Sequence, residues 1–176
     1  MNKLLYVGKI SRLKGIEFAI RLMKRLGDDY SLTVVGWGDV DEYSNYSENE
    51  GVYTVQFEGF VSRDQLQKYY MTHDLTIIPS EKEGFCLVAI ESMFYGTPVI
   101  SNDVPELNRF IVDSYNGLLC KKYSYNCYER KIRNLFKDKD LYDRLVRNGR
   151  KEANLHGVTI KTDLMHEVYL TLLGEL

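Results

Sequence analysis

The stretch "DLTIIPSEKEGFCLVAIESMFYGTPVISN", residues 74–102, decides the fold. "DLTIIPS" is short, apolar and closed by Pro79, which is the pattern of a buried strand. "LVAIESMFYG" reads as a helix, and "TPVISN" as a second strand. Two apolar strands joined through a helix are the signature of a parallel pair covered on both faces. Between the first strand and the helix lies "PSEKEGFC", too polar to be buried without a purpose. Two carboxylates, Glu83 and Glu91, flank the apolar run that follows.

The same alternation continues in both directions. "KLLYVG" reads as the first strand, stopped by Gly8, and "KGIEFAIRLMKRLG" as the helix after it. Ile16, Ala19, Ile20, Met23 and Leu26 share one face of that helix, with Leu22 at its edge and Gly27 as C-cap. Phe18 lies off the stripe and is expected to meet a neighbouring element. "YSLTVVGWG" and "VYTVQFEG" are the second and third strands. "SRDQLQKYYMTH" is a helix capped by Ser62. "NGLLCK" forms a sixth strand after the Asn116-Gly117 turn, and the tail from about residue 125 is helical with a break near His156-Gly157. The expected fold is α/β, a Rossmann-like parallel sheet with helices on both faces and a helical C-terminal tail. Right-handed crossovers place the strand C-termini along one edge, and ligands of such sheets bind beyond it.

Composition narrows the function. The chain has 176 residues, 44% of them hydrophobic, and a formal net charge of -2, so it suits one domain and offers no overall basic surface for nucleic acid. It contains no apolar run of the roughly 20 residues that a membrane helix needs, and "MNKLLYVGKI" lacks the features of a signal peptide. Cys86, Cys120 and Cys127 are odd in number and fit no zinc spacing, which points to reduced thiols and a cytoplasmic setting. Tyrosine is frequent, at 14 residues, and composition does not say why.

Three constellations sit at the expected ligand edge. "VGKISRLKG" follows strand one and carries Lys9, Arg12 and Lys14, at a place where backbone N–H groups and a helix dipole favour an anion. It is neither a Walker loop nor GxGxxG, and a solvated basic loop is the plain alternative. "VVGWGDV" brings Gly36 and Gly38, which permit close backbone approach or an ordinary turn; Trp37 between them could cover a ligand or simply pack, and packing is the favoured reading. In "EGFCLVAIE" the residues Gly84, Phe85, Cys86 and Leu87 offer the N–H groups of a helix start. Glu83, ahead of the helix, can accept from sugar hydroxyls. Glu91 lies among Leu87, Val88 and Ile90, where a carboxylate needs donors such as those of a vicinal diol. The plain alternative makes Glu83 a cap and turns Glu91 to water.

Together these motifs resemble the C-terminal, donor-binding domain of GT-B glycosyltransferases of family 4 (group 1), the retaining group that includes sucrose-phosphate synthase-like enzymes. The matching residues are Gly8, Lys14 and Gly15, then Gly36 and Gly38, then "FEGFVSRDQLQKYY" with "DLTIIPS", the pair of glutamates in "EGFCLVAIE", and "GTPVISNDVPELNRFIVDSYNGLL". The resemblance implies a nucleotide-diphospho-sugar donor of the UDP or GDP type. Lys9 and Lys14 would bind its diphosphate, and Glu83 its sugar hydroxyls. The amides of Phe85, Cys86 and Leu87 beside Gly84 would face phosphates and sugar, Glu91 would hold the ribose, and Phe60 and Val61 would line the base. Lys14, Lys9 and Glu83 would carry the chemistry, with the lysines in place of a metal. Lys9 stands where the family usually has arginine, and Cys86 where glycine is common. The resemblance also implies that an N-terminal acceptor domain is absent. Such a chain would bind donor without useful transfer, and its exposed cleft face would favour self-association or a separate acceptor-domain chain. Two rivals remain: a non-catalytic nucleotide-sugar-binding module or partner subunit, and an NAD enzyme, which the missing dinucleotide fingerprint disfavours.

Overall fold

The computed structural model describes residues 1–84 and 86–156. Six strands form one sheet: β1 (Asn2–Val7), β2 (Tyr30–Val35), β3 (Val55–Gly59), β4 (Leu75–Ile78), β5 (Val99–Asn102) and β6 (Leu118–Cys120). Their order is β3-β2-β1-β4-β5-β6, and every neighbouring pair is parallel. The chain winds outward from β1 in one direction, returns at β4 beside β1, and winds outward in the other. The switch point therefore lies between β1 and β4, with Leu4 opposite Leu75 and Leu5 opposite Thr76.

Strand alternation explains why both faces are covered. Leu4 and Tyr6 of β1 enter one core with Leu32 and Val34 of β2, whereas Leu5 and Val7 enter another with Val35. The first core takes the apolar stripe of α1 (Ile16–Leu26), including Ile16, Ala19, Ile20, Met23 and Leu26. Helix α5 (Tyr125–Leu135) adds Tyr128, Ile132 and Leu135 to it. Phe18 does meet a neighbour: its ring stacks on Tyr125 at 4.3 Å between centroids. On the opposite face α3 (Arg63–Thr72) supplies Tyr70, and α4 (Leu87–Tyr95) supplies Ala89, Ile90 and Met93 to the remaining cluster. Ser62 caps α3 in a reciprocal capping box with Gln65.

The structure differs from the sequence reading in three places. A helix, α2 (Val40–Asn49), occupies a stretch to which the sequence reading assigned no element. Only Tyr43 and Ser47 of it are buried, so there is no apolar stripe to see; its one signal is Asp39, whose side chain accepts the Glu42 N–H at 2.9 Å. The helical tail breaks first at residues 136–138, where Asp138 caps α6 (Lys139–Leu155). His156 then closes α6, and Gly157 itself lies outside the described residues. Finally, Cys120 and Cys127 are joined as a disulfide with Cα atoms 5.7 Å apart, against the expectation of three free thiols. The turn after β6, with Tyr123 at φ 61°, folds the start of α5 back beneath the strand and brings the two residues within bridging reach.

Gly36 shows how tightly the ligand edge is built. At φ 149° its Cα faces Gly8, and a Cβ built there would overlap the Gly8 carbonyl. Gly36→Ala is expected to lower stability by at least about 3 kcal/mol, the sum of backbone strain and overlap. Gly51 also has positive φ, 71°, but open space around it, so Gly51→Ala should cost only about 1 kcal/mol. Urea unfolding of the two variants measures the difference.

Candidate functional site

The loops leaving β1 and β4 meet at the switch point. After β1 the chain passes Gly8 and Lys9, makes a 3-10 turn over Arg12–Lys14, and enters α1 through Gly15 at φ 78°. A Cβ on Gly15 would overlap the Pro79 carbonyl, so only glycine lets the loop sit against the end of β4. The Glu81 N–H donates to the Leu13 carbonyl at 3.0 Å and completes the join. Beyond it, Lys14 Nζ donates to Glu83 Oε2 at 2.9 Å. The side chains are 32% and 10% exposed, so this pair is shielded more than a surface ion pair. The two motifs that the sequence placed 69 residues apart thus share one contact.

The second carboxylate lies within α4. Glu91, on the second turn of α4, accepts the Tyr70 O–H at 3.1 Å. Burial pushes the Glu91 carboxyl above its ordinary range, against the opposing pull of the Tyr70 hydrogen bond and the Arg63 charge. Burial and the nearby Glu91 raise the Tyr70 phenol in turn. Val61 packs against the cluster of Leu5, Val35 and Tyr70, on the α3 side of the same edge, while Phe60 is 79% exposed. Glu91 therefore does not turn to water, and Glu83 pairs with a lysine rather than capping α4.

That helix is capped by Cys86, which adopts a left-handed conformation at φ 47° and makes no side-chain capping bond. This backbone is the one glycine adopts freely and other residues adopt at a cost. Burial, and then Glu83, push the Cys86 thiol up to about 12. Gly84 is exposed and Leu87 half-buried at the start of α4, and Phe85 lies outside the described residues. Lys9, at the other side of the loop, is exposed, with its Nζ 4.8 Å from the centre of the Trp37 ring. Trp37 is 47% exposed, so the packing role read for it does not hold. Gly36 and Gly38 tie this segment to the β1 loop through the Gly8 contact and the Ile10–Gly38 bridge.

Three supporting residues were given no role by the sequence reading. Buried Tyr6 donates to the Lys9 carbonyl at 2.8 Å and, more weakly, to that of Lys14 at 3.3 Å, so it pins the basic loop from below. Tyr70 orients Glu91. Buried Asn102 donates to the carbonyls of Pro79 and Ser80 at 2.8 and 3.0 Å and accepts from Tyr128 at 3.1 Å, fixing the loop that carries Glu83. Frequent tyrosine was the visible signal for two of them.

A parallel sheet whose switch point carries two joined, charged strand-to-helix loops is a Rossmann-like domain built to bind a ligand at that edge. The family model of the glycosyl transferases group 1 matches residues 1–152, and the chain belongs to that family. An uncharacterized glycosyltransferase of Methanocaldococcus jannaschii is 32% identical over 154 residues, covering 85% of this chain and 40% of the relative. The C-terminal domain of a glycosyl transferase group 1 family protein from Francisella tularensis superposes with a TM-score of 0.74 at 27% identity, over 88% of this chain and 85% of that one. The Anabaena protein HepE, solved in complex with UDP and glucose, shares the fold with a TM-score of 0.82 at 18% identity, over 96% of this chain and 48% of that one. A second Methanocaldococcus jannaschii relative is covered over 42% of its length, so the chain spans less than half of these curated relatives. Among the described residues no helix is long and apolar enough to cross a membrane.

Two outcomes follow for the protein without ligand. The folded value of Glu91 is raised above its ordinary 4.5, so the folded state binds that proton more tightly than the unfolded chain. The stability this contributes is fully present below about pH 4.5 and is lost as pH rises through the folded value. Glu91→Gln has no such loss and should melt higher than wild type at neutral pH, the two curves converging toward pH 4.5 in a thermal melt series. For Cys86, alkylation by iodoacetamide between about pH 7 and 9 should be negligible in the native protein and rapid in urea.

Proposed function

We propose that this domain binds the nucleotide-diphospho-sugar donor of a glycosyltransferase that transfers the sugar to an acceptor hydroxyl with retention of configuration. The observation that carries the reading is the Lys14–Glu83 pair at the switch point. An ammonium has three donors, and Glu83 engages one of them. The others would meet the donor diphosphate, while the free lone pairs of Glu83 accept from the sugar. The pair thus ties the phosphate position to the sugar position. Lys9 adds a second cation on the same loop, and Glu91, half-buried beside Tyr70, would take the two ribose hydroxyls. Phe60 and Val61 would line the base.

In the transfer step negative charge grows on the departing diphosphate. Cations already fixed there stabilise the transition state more than the ground state. This reading assigns that work to Lys14, Lys9 and the start of α4 near Gly84, Cys86 and Leu87, without a metal. The complex of HepE with UDP and glucose supports a donor of the UDP type, and GDP sugars are the alternative. The acceptor must be positioned by groups outside this domain, and such positioning is worth about 7–11 kcal/mol of barrier. The domain alone would therefore bind donor and transfer little, and its open edge would pair with an acceptor-binding partner or with itself.

Calorimetry with UDP, GDP, their sugars and the bare nucleosides tests the assignment. Lys14→Ala should weaken diphosphate binding by roughly 1–3 kcal/mol and leave the nucleosides unchanged. Glu91→Gln should weaken ribonucleotides more than 2′-deoxy analogues. Unchanged diphosphate affinity in Lys14→Ala would overturn the phosphate role, and robust acceptor-dependent product from the 176-residue chain as a monomer would overturn the division of labour. We place the protein in the cytoplasm, where a disulfide such as Cys120–Cys127 is rare. Thiol counting after rapid alkylation of cells decides this: three thiols fit the cytoplasm, and one fits an oxidising compartment.

A further inference from the structure

Lys9 and Lys14 leave the same loop but are held by different chemistry. Lys14 is held by a carboxylate. Among the described residues Lys9 makes no ion pair, and its ammonium rests 4.8 Å from the centre of the Trp37 ring. Both partners of that contact are fixed at the backbone. The Lys9 carbonyl accepts from buried Tyr6 at 2.8 Å. The Trp37 carbonyl accepts the Ile10 N–H at 2.8 Å, and the Gly36 N–H donates to Gly59 at 2.8 Å. An indole displayed between two glycines at the ligand edge, half exposed yet anchored on both sides, needs an explanation other than core packing.

We propose that Trp37 is a positioning residue for Lys9, holding its ammonium at the phosphate side of the site without neutralising it; this rests on the donor-binding reading above. A carboxylate partner, as Glu83 is for Lys14, offsets part of the charge and occupies one of the three ammonium donors. A ring face attracts the cation through its quadrupole, most strongly in tryptophan, and leaves the N–H donors free. Lysine needs this more than arginine would. Its flexible stem loses rotamer freedom when it grips a phosphate, and it has no rigid fork to compensate. Ordering the stem in advance reduces that cost and raises affinity for diphosphate.

The experiment is calorimetry on the full chain with UDP, GDP and uridine, using Trp37→Leu, Trp37→Phe, Lys9→Met and the Lys9→Met/Trp37→Leu pair. Trp37→Leu is expected to weaken both diphosphates about three- to tenfold, in line with cation–π strengths, and to leave uridine unchanged. Trp37→Phe should retain most of the affinity. In the Lys9→Met background Trp37→Leu should have no further effect, a coupling that a merely structural role would not produce. Trp37 is the one tryptophan in the sequence, so its emission reports on the contact directly: UDP should shift it in wild type and far less in Lys9→Met. Additive effects of the two substitutions, equal weakening of uridine, or an undiminished emission shift in Lys9→Met would each overturn the proposal while leaving donor binding intact. Failure of wild type to bind either diphosphate would overturn the donor reading and this inference with it.

Discussion

The architecture of this domain depends on one close approach. Gly15 abuts the Pro79 carbonyl, and the neighbouring backbone bond from Glu81 to Leu13 makes the approach a fixed joint. Through it the start of α1 and the end of β4 become one surface. Without a glycine at residue 15 the basic loop would be lifted from β4, and Lys14 would not reach Glu83. Both are supported from beneath by buried side chains, Tyr6 under the first loop and Asn102 under the second. The charged groups are thus carried by short loops on rigid elements, the arrangement that lets a site be accurate to fractions of an ångström.

The fold was legible because a parallel sheet buried on both faces needs strands that are apolar throughout, and "KLLYVG" and "DLTIIPS" have no other use in a chain of this length. The glutamates were legible for the opposite reason, as charges at the margins of an apolar run. Helix α2 was not, since it contributes only Tyr43 and Ser47 to the interior and lies mostly on the surface. Hydroxyl partners were equally hidden. That Tyr70 reaches Glu91 and Tyr128 reaches Asn102 depends on which helices the sheet brings together, and no spacing along the chain encodes it. Trp37 was misread because a lone tryptophan more often fills a core, whereas here the flanking glycines and the β1 loop leave its ring no core to enter.

Burial of Glu91 and the left-handed Cys86 both run against stability in this domain. Each would be better served, for folding alone, by glutamine and by glycine. Their position on either side of the start of α4 puts the strain where the two loops and the sheet edge converge, the place where proteins tolerate such costs for function.

Helix α6 has a different consequence. Its first half enters the core beneath α1 through Leu141 and Leu145, and its second half joins the opposite cluster through Ala153. Gly149, between them, lies close enough to Met93 that a Cβ there would sit 3.1 Å from its side chain. One rod thus spans both layers, passing the start of β4, where its Tyr142 O–H donates to the Asp74 carbonyl. Neither layer can melt while α6 stays docked to the other, so the two halves of the sandwich are mechanically coupled and should open to solvent exchange as a single cooperative unit.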